Sequence, residues 1–232
     1  MRLAQEIQRS LLHFVFPQIC PGCGDELFGR ESSICPRCLF ALPETRFEYY
    51  PDNPVERKFW GRLPIHSAFA QYYFGGDSLV KRLMHQFKYR GHLELGLQLG
   101  RMMGNCLHRS ARFYPDALVA LPLHPGKEKK RGFNQAAVLC EGISATTRLP
   151  VLKNVVQRGS FTETQTRKGR IDRWLNMEGK FVLQDPEAVR NRHLLLVDDV
   201  VTTGATLEAC GSELLKAEGV ELSIATLCYA SQ

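Results

Sequence analysis

The chain has 232 residues, 44% hydrophobic and 23% charged, an ordinary globular balance with room for one substantial core and a small appended module. Two domains fit this length and three do not. A net charge of +6 admits an anionic ligand or nucleic acid without demanding either.

Residues 1–17 place Leu3, Ile7, Leu11, Leu12, Val15 and Phe16 at near-helical spacing, interrupted by Glu6, Arg9 and His13. The spacing predicts an amphipathic helix packed on the body of the protein. No apolar run reaches the length of a membrane span or of an uninterrupted secretory-signal core, so a cytoplasmic location is expected.

Residues 18–45 carry Cys20-Pro-Gly-Cys23 and Cys35-Pro-Arg-Cys38, two Cys-x-x-Cys turns separated by eleven residues. Four thiolates from two such knuckles can close a tetrahedral site with Zn–S distances of about 2.3 Å, and two pairs at zinc-ribbon spacing point to metal where a single pair would suit redox chemistry. The site has no open position, so its role would be structural. A segment of about 30 residues cannot bury enough apolar area to fold alone, and bound zinc supplies roughly 10–16 kcal/mol in such modules. Spacing alone does not separate zinc from iron, although four-cysteine ribbons favour zinc. Cys106, Cys140, Cys210 and Cys228 stand in apolar or helical contexts and read as small core residues.

Residues 46–66, with Pro51 and Pro54, read as an irregular surface linker, and 67–232 as an α/β domain. Ala68 to Phe74 suits a strand. Asp77 to Leu107 suits two helices broken at Tyr89-Arg90-Gly91-His92. Ala117 to Leu121 reads as a buried parallel strand. It runs into a basic loop holding Lys127, Lys129, Lys130 and Arg131, before a helix from about Gln135 to Ala145. Leu149 to Val156, Phe181 to Leu183, Leu194 to Val197 and Leu222 to Cys228 read as further strands. A helix over 205–218 is capped by Gly219. Alternating strands and helices imply a mostly parallel sheet covered on both faces.

The most informative stretch is Leu194-Leu-Leu-Val-Asp198-Asp199-Val-Val-Thr202-Thr203-Gly204-Ala205-Thr206. An apolar strand delivers two adjacent carboxylates to the ligand edge of the sheet, where they can accept hydrogen bonds from vicinal ribose hydroxyls. The Thr/Gly turn then offers hydroxyls and successive backbone N–H groups to a phosphate at the N-terminus of the next helix. Receiver domains also begin with Leu-Leu-Val-Asp-Asp, but they need roughly a hundred further residues after it.

This order resembles the PRPP-binding signature of type I phosphoribosyltransferases, PRPP being 5-phosphoribosyl-1-pyrophosphate. The resemblance implies the matching fold, with Asp198 and Asp199 on the ribose hydroxyls and available to stabilise a cationic ribose. It places Val200, Val201, Thr202, Thr203, Gly204, Ala205 and Thr206 around the 5′-phosphate. The pyrophosphate and its Mg²⁺ would face a loop of Leu123, His124, Lys130, Arg131, Gly132, Phe133, Asn134 and Gln135.

Pro122-Leu-His-Pro125 and Arg131-Gly-Phe-Asn-Gln135, joined to the upstream cysteine pairs and the downstream acidic motif, resemble the ComF family of competence-associated, phosphoribosyltransferase-like proteins. Lys88-Tyr-Arg-Gly91 and the spacing of Gln165, Arg173, Asn176 and Phe181 extend the likeness, while Lys168 stands where that family usually has Leu. Residues 158–180, with Gln165, Arg170, Arg173 and Asn176, would form the mobile loop over the ligand. The resemblance implies a role in natural transformation, with single-stranded DNA and a competence helicase or other DNA-uptake proteins as partners. The basic segments would hold the DNA backbone, with stacking on Phe133 or Trp174. No acceptor-reading motif is evident, so whether PRPP is turned over stays open. The other readings are a metabolic phosphoribosyltransferase and a PRPP-sensing regulator without catalysis.

Overall fold

The computed structural model describes residues 18–27, 32–76, 78–89, 91–159 and 181–230. The amphipathic helix expected over 1–17 and the loop residues Gln165, Arg170, Arg173, Trp174 and Asn176 lie outside them.

Four parallel strands form the sheet in the order β1-β6-β5-β2: β1 is Ser67–Phe74, β2 Ala117–Ala120, β5 His193–Val201 and β6 Glu221–Ala230. β5 lies between β2 and β6, with Val119 opposite Leu196, Leu196 opposite Ile224 and Asp198 opposite Thr226. Both neighbours are parallel, so the strand is buried along its apolar stretch, and Leu194, Leu195, Leu196 and Val197 have no accessible surface. This is why it reads as a continuous run and not as an alternation.

The short helix α1 (Pro36–Phe40) begins at the second cysteine turn. Helices α2 (Leu79–Tyr89) and α3 (Leu93–Arg109) follow β1 and break near Gly91, whose φ is +66°. Helix α5 (Gln135–Thr147) crosses α3 at very close range. A Cβ on Gly100 would meet the Leu139 carbonyl at 2.4 Å, and one on Gly142 the Leu97 carbonyl at the same distance. Cys106, Cys140, Cys210 and Cys228 are all buried, as core residues should be.

Three sequence expectations change. Residues 149–156 do not make a full strand: the stretch touches the sheet only through a bridge from Val151 to Leu118. Pairing resumes in β3 (Val156–Arg158), which is antiparallel to β4 (Phe181–Leu183) in a separate ribbon. One turn of helix, α6 (Pro186–Val189), then leads towards β5. Helix α7 (Ala205–Leu214) ends four residues before the expected 218, and the chain turns through 215–218 before Gly219 takes φ +67°.

Residues 46–66 are not a free surface linker. Phe47, Val55, Phe59 and Leu63 are buried, and the buried polar groups of this segment are stitched to the sheet. Asn53 Nδ2 donates to the carbonyls of Phe47, Tyr50 and Ala68. Glu56 accepts from the Ala68 amide at 3.1 Å and from Arg112 at 2.6 Å. Buried polar atoms need such partners, and a solvated linker would not supply them.

Among the described residues no helix is long and apolar enough to cross a membrane.

Candidate functional site

In a parallel sheet all carboxyl ends emerge on one edge, and here two chemically distinct segments meet there. After β2 comes α4 (Pro125–Arg131), so the basic segment expected as a loop is a short helix. Pro125 occupies its first turn, His124 Nδ1 accepts from the Gly126 amide at 3.1 Å, and Gly132 closes it at φ +81°. Proline at the start and glycine just past the end are helix punctuation that the sequence did carry.

After β5, which runs on through both acids to Val201, the turn 202–204 leads into α7. Gly204 has φ +82°, a conformation that costs little only for glycine, and a Cβ there would stand 3.0 Å from Phe59 Cε1. Thr202, Thr203 and Thr206 are exposed, Val200 is half-buried and Val201 is buried. Thr203 Oγ1 accepts from the Ala205 amide at 3.4 Å, and Arg62 donates to the Thr203 carbonyl at 3.3 Å while pairing with Glu208. The segment expected as a linker therefore braces the Thr/Gly turn. The first amides of α7 have no intrahelical acceptor and face an anion favourably.

Between these segments lies a cavity of about 210 Å³ lined by Lys88, Leu121, Pro122, Leu123, Lys127, Arg131, Asn134, Gln135, Ala136, Arg158, Asp198, Asp199 and Thr206. It brings residues of the expected pyrophosphate segment to the acidic pair. Their duties divide. Asn134 caps α5, accepting from the Ala136 amide at 2.9 Å and donating to the Leu121 carbonyl at 3.0 Å. Buried Gln135 accepts from Arg131 at 2.5 Å and so aims the guanidinium. Lys130 is exposed. Phe133 does not present a free stacking face: it is half-buried, and its ring centroid lies 5.7 Å from that of buried Phe87.

The two acids are unequal. Burial, and then the charge of Asp199, push the Asp198 carboxyl well above the usual range, although its Oδ1 accepts from the Asp199 amide at 2.7 Å. Asp199 pairs with Lys88 Nζ at 2.8 Å. One carboxylate is thus matched by a cation while its neighbour keeps its proton more readily, and oxygens of both can accept from a vicinal diol.

Lys88 and Arg158 were not assigned as ligand-contacting residues from the sequence, although Arg158 opens the 158–180 segment expected to cover the ligand. Lys88 reaches the acids from α2, more than a hundred positions away, and only its Lys-Tyr-Arg-Gly context hinted at a role. Arg158 ends β3, its guanidinium 5.5 Å from the Phe181 centroid, with a buried Nε that has no partner among the described residues. An unpaired buried donor on a cavity wall is costly unless a ligand completes it.

The cysteine cluster stands apart from this cavity. The Sγ atoms of Cys20, Cys23, Cys35 and Cys38 lie within 4.8 Å of one another. Tetrahedral Zn–S bonds of about 2.3 Å would set them about 3.8 Å apart, so the four thiols fit a metal ion after slight contraction. The Cys35 amide donates to Cys20 Sγ at 3.4 Å and the Cys38 amide to Cys35 Sγ at 3.4 Å. Burial raises the Cys20 pKa, but donors from Cys35, Cys23 and Gly22 outweigh it and bring it down to about 7, whereas burial and the neighbouring thiols push Cys38 up, as expected of thiols crowded together with no cation between them. The knuckle is held to the body by Arg82, which donates to the Gly22 carbonyl at 3.1 Å, and by Gln98, which accepts from the Ser33 amide at 2.6 Å.

Comparison with known proteins finds similarity along most of the chain. A family model described as a phosphoribosyl transferase domain matches residues 132–232. Competence protein F of Haemophilus influenzae is 27% identical over 222 residues, covering 92% of this chain and 90% of that protein. DNA utilization protein YhgH of Escherichia coli K12 is 29% identical over 204 residues, covering 85% of each. Competence protein ComFC of Bacillus subtilis is 27% identical over 233 residues, covering 97% of this chain and 91% of that protein.

Proposed function

Since this chain is a ComF-family, phosphoribosyltransferase-like protein, we propose that it binds PRPP with Mg²⁺ at the carboxyl edge of its sheet and acts in natural transformation, handling incoming single-stranded DNA. The observation that carries the PRPP reading is the single cavity that joins an acidic pair, four cationic side chains (Lys88, Lys127, Arg131 and Arg158) and a threonine at the start of α7. Each part of PRPP has a chemical counterpart there. Asp198 and Asp199 accept from the ribose hydroxyls. Thr202, Thr203 and Thr206, with the first amides of α7, take the 5′-phosphate. Lys127, Arg131 and Arg158 take the pyrophosphate through their cationic ends. Mg²⁺ bound to the pyrophosphate would neutralise part of its charge, and Asp198 and Asp199 would offer it carboxylate oxygens of the kind this ion prefers. In a transfer reaction an acceptor bonds to C1′ as the C1′–O bond breaks and pyrophosphate leaves with the electron pair. Lys127, Arg131 and Arg158 then stabilise the leaving charge and the acids the cationic ribose. Cys20, Cys23, Cys35 and Cys38 hold a structural zinc ion that fixes the amino-terminal module. The DNA role rests on the competence and DNA-utilization proteins that this chain resembles along most of its length.

The test is calorimetric titration of PRPP with Mg²⁺ into the wild-type protein and into the isosteric Asp198→Asn/Asp199→Asn variant. The expected result is one site per chain in the wild type and a loss of at least about tenfold in the variant, a cost of about 1.4 kcal/mol. Equal affinity in both proteins would refute the assignment of the acids.

A further inference from the structure

We infer that Trp60, Tyr73 and Tyr229, together with Arg57, Lys58 and Arg62, form a stacking platform for the bases of single-stranded DNA beside the phosphate turn. The inference rests on the DNA-handling reading and gives it a surface.

Trp60 and Tyr73 belong to the exposed aromatic residues, with Phe40, Tyr49, Tyr50, Tyr89 and Tyr114. Trp60 is 57% exposed and Tyr73 45% exposed, in a protein that buries Phe47, Phe59, Phe69, Tyr72 and Phe87 almost completely. Tyr73 and Tyr229 are register partners at the carboxyl ends of β1 and β6. Both rings meet Phe47 edge-on, at 5.6 and 5.8 Å, and each other at 6.4 Å. They are therefore held rigidly by a buried ring while keeping surface open to solvent. Stacking a base on a side chain already fixed in place loses little rotamer entropy.

Cations accompany the rings. The Arg57 guanidinium lies 5.7 Å from the Trp60 centroid, and Lys58 Nζ lies 5.0 Å from the Tyr229 centroid. Alternating π-faces and positive charges are what a single strand needs, because every base offers a π-face and every nucleotide a phosphate. This pattern is tolerant of sequence, as handling of incoming DNA requires.

The platform is continuous with the candidate site. Val201 of β5 is opposite Tyr229 of β6. Lys58 Cβ is 3.7 Å from where a Gly204 Cβ would stand, and Arg62 holds the Thr203 carbonyl. A strand lying on these rings would run past the turn assigned to the 5′-phosphate. Phe133, the other aromatic considered among the described residues, is packed against Phe87 and offers no such face.

The test uses a fluorescein-labelled dT20 and an abasic 20-mer of equal charge, measured by anisotropy against the full-length protein and its Trp60→Ala/Tyr73→Ala variant. Both rings are half exposed, so the variant should fold, and PRPP calorimetry on the same preparation checks that the neighbouring site is intact. The expected result is dT20 bound at least about tenfold more tightly than the abasic strand. The variant should lose about tenfold or more on dT20 while changing little on the abasic strand, since stacking on the order of 1.4 kcal/mol is a factor of ten. Trp60 fluorescence, read in a Trp174→Phe background, should be quenched by dT20. Equal affinity of the wild type for both strands, or an unchanged dT20 affinity in the variant, would overturn the platform. In that case backbone contacts elsewhere would carry DNA binding. Absence of any DNA binding alongside intact PRPP binding would overturn both the platform and the DNA-handling reading, leaving the PRPP site standing.

Discussion

Replacing Lys88 with methionine keeps most of the apolar stem of the side chain and removes its ammonium group. At 2.8 Å the attraction between Lys88 and Asp199 amounts to about 6 kcal/mol with an effective dielectric of about 20. Desolvating the two groups offsets much of that, and neither side chain is fully buried, at 20% and 15% exposed. Removing one partner strands a charge beside Asp198, and the expected net loss is about 2–3 kcal/mol, below the range for a fully buried pair. For a chain of 232 residues each kcal/mol moves Tm by about 2–4 °C, so Lys88→Met should melt about 4–12 °C lower. A second replacement, Asp199→Asn, removes the stranded charge, and the double variant should recover most of the loss. The assay is a double-mutant cycle by calorimetry or urea unfolding at pH 7. A drop under about 1 °C in Lys88→Met, or a double variant no more stable than Lys88→Met, would refute the claim that Lys88 neutralises the acidic pair.

Two further outcomes follow from the same structure. The raised carboxyl of Asp198 means that the folded protein binds a proton more tightly than the unfolded chain. This group's contribution therefore falls as pH climbs from its ordinary value of about 3.8 through its raised one. Asp198→Asn retains the acceptor for the Asp199 amide, so it should be about 0.5–2 kcal/mol more stable than wild type at neutral pH, with the gain vanishing below about pH 4. Urea midpoints between about pH 3.5 and 8 would show this, and a gain independent of pH would contradict it. Metal removal should act on one end of the molecule. Chelation, or Cys35→Ser, should open residues 18–45 to protease while the α/β body resists, with one metal ion released per chain in the wild type. Loss of both parts together, or no release, would contradict a separate structural metal module.

The acidic motif was legible because strand, carboxylates, turn and helix are contiguous, and each local preference agrees with the fold. The two cysteine turns were legible for the same reason, and their thiols do converge. What the sequence hid was assembled across distance. Lys88 meets Asp199 of β5 from α2, and Arg158, expected in a loop over the ligand, is delivered to the cavity wall by β3. Residues 46–66 looked like a linker because prolines and charges dominate their composition. Yet Phe59 and Val55 have no accessible surface, and Asn53 and Glu56 spend their hydrogen bonds on β1 and its neighbours. In the basic segment, attention to charge obscured the proline and glycine that bound a short helix.

If the site holds PRPP, one ligand with a phosphate at each end spans the cavity between the basic helix α4 and the Thr/Gly turn. A crystal structure of the protein grown with PRPP and Mg²⁺ tests it most directly. The expected result is the ribose on Asp198 and Asp199, the 5′-phosphate on the turn at 202–206 and the pyrophosphate against Lys127, Arg131 and Arg158. Density for PRPP at any other place, or an acidic pair still closed on Lys88 with no ribose beside it, would contradict it.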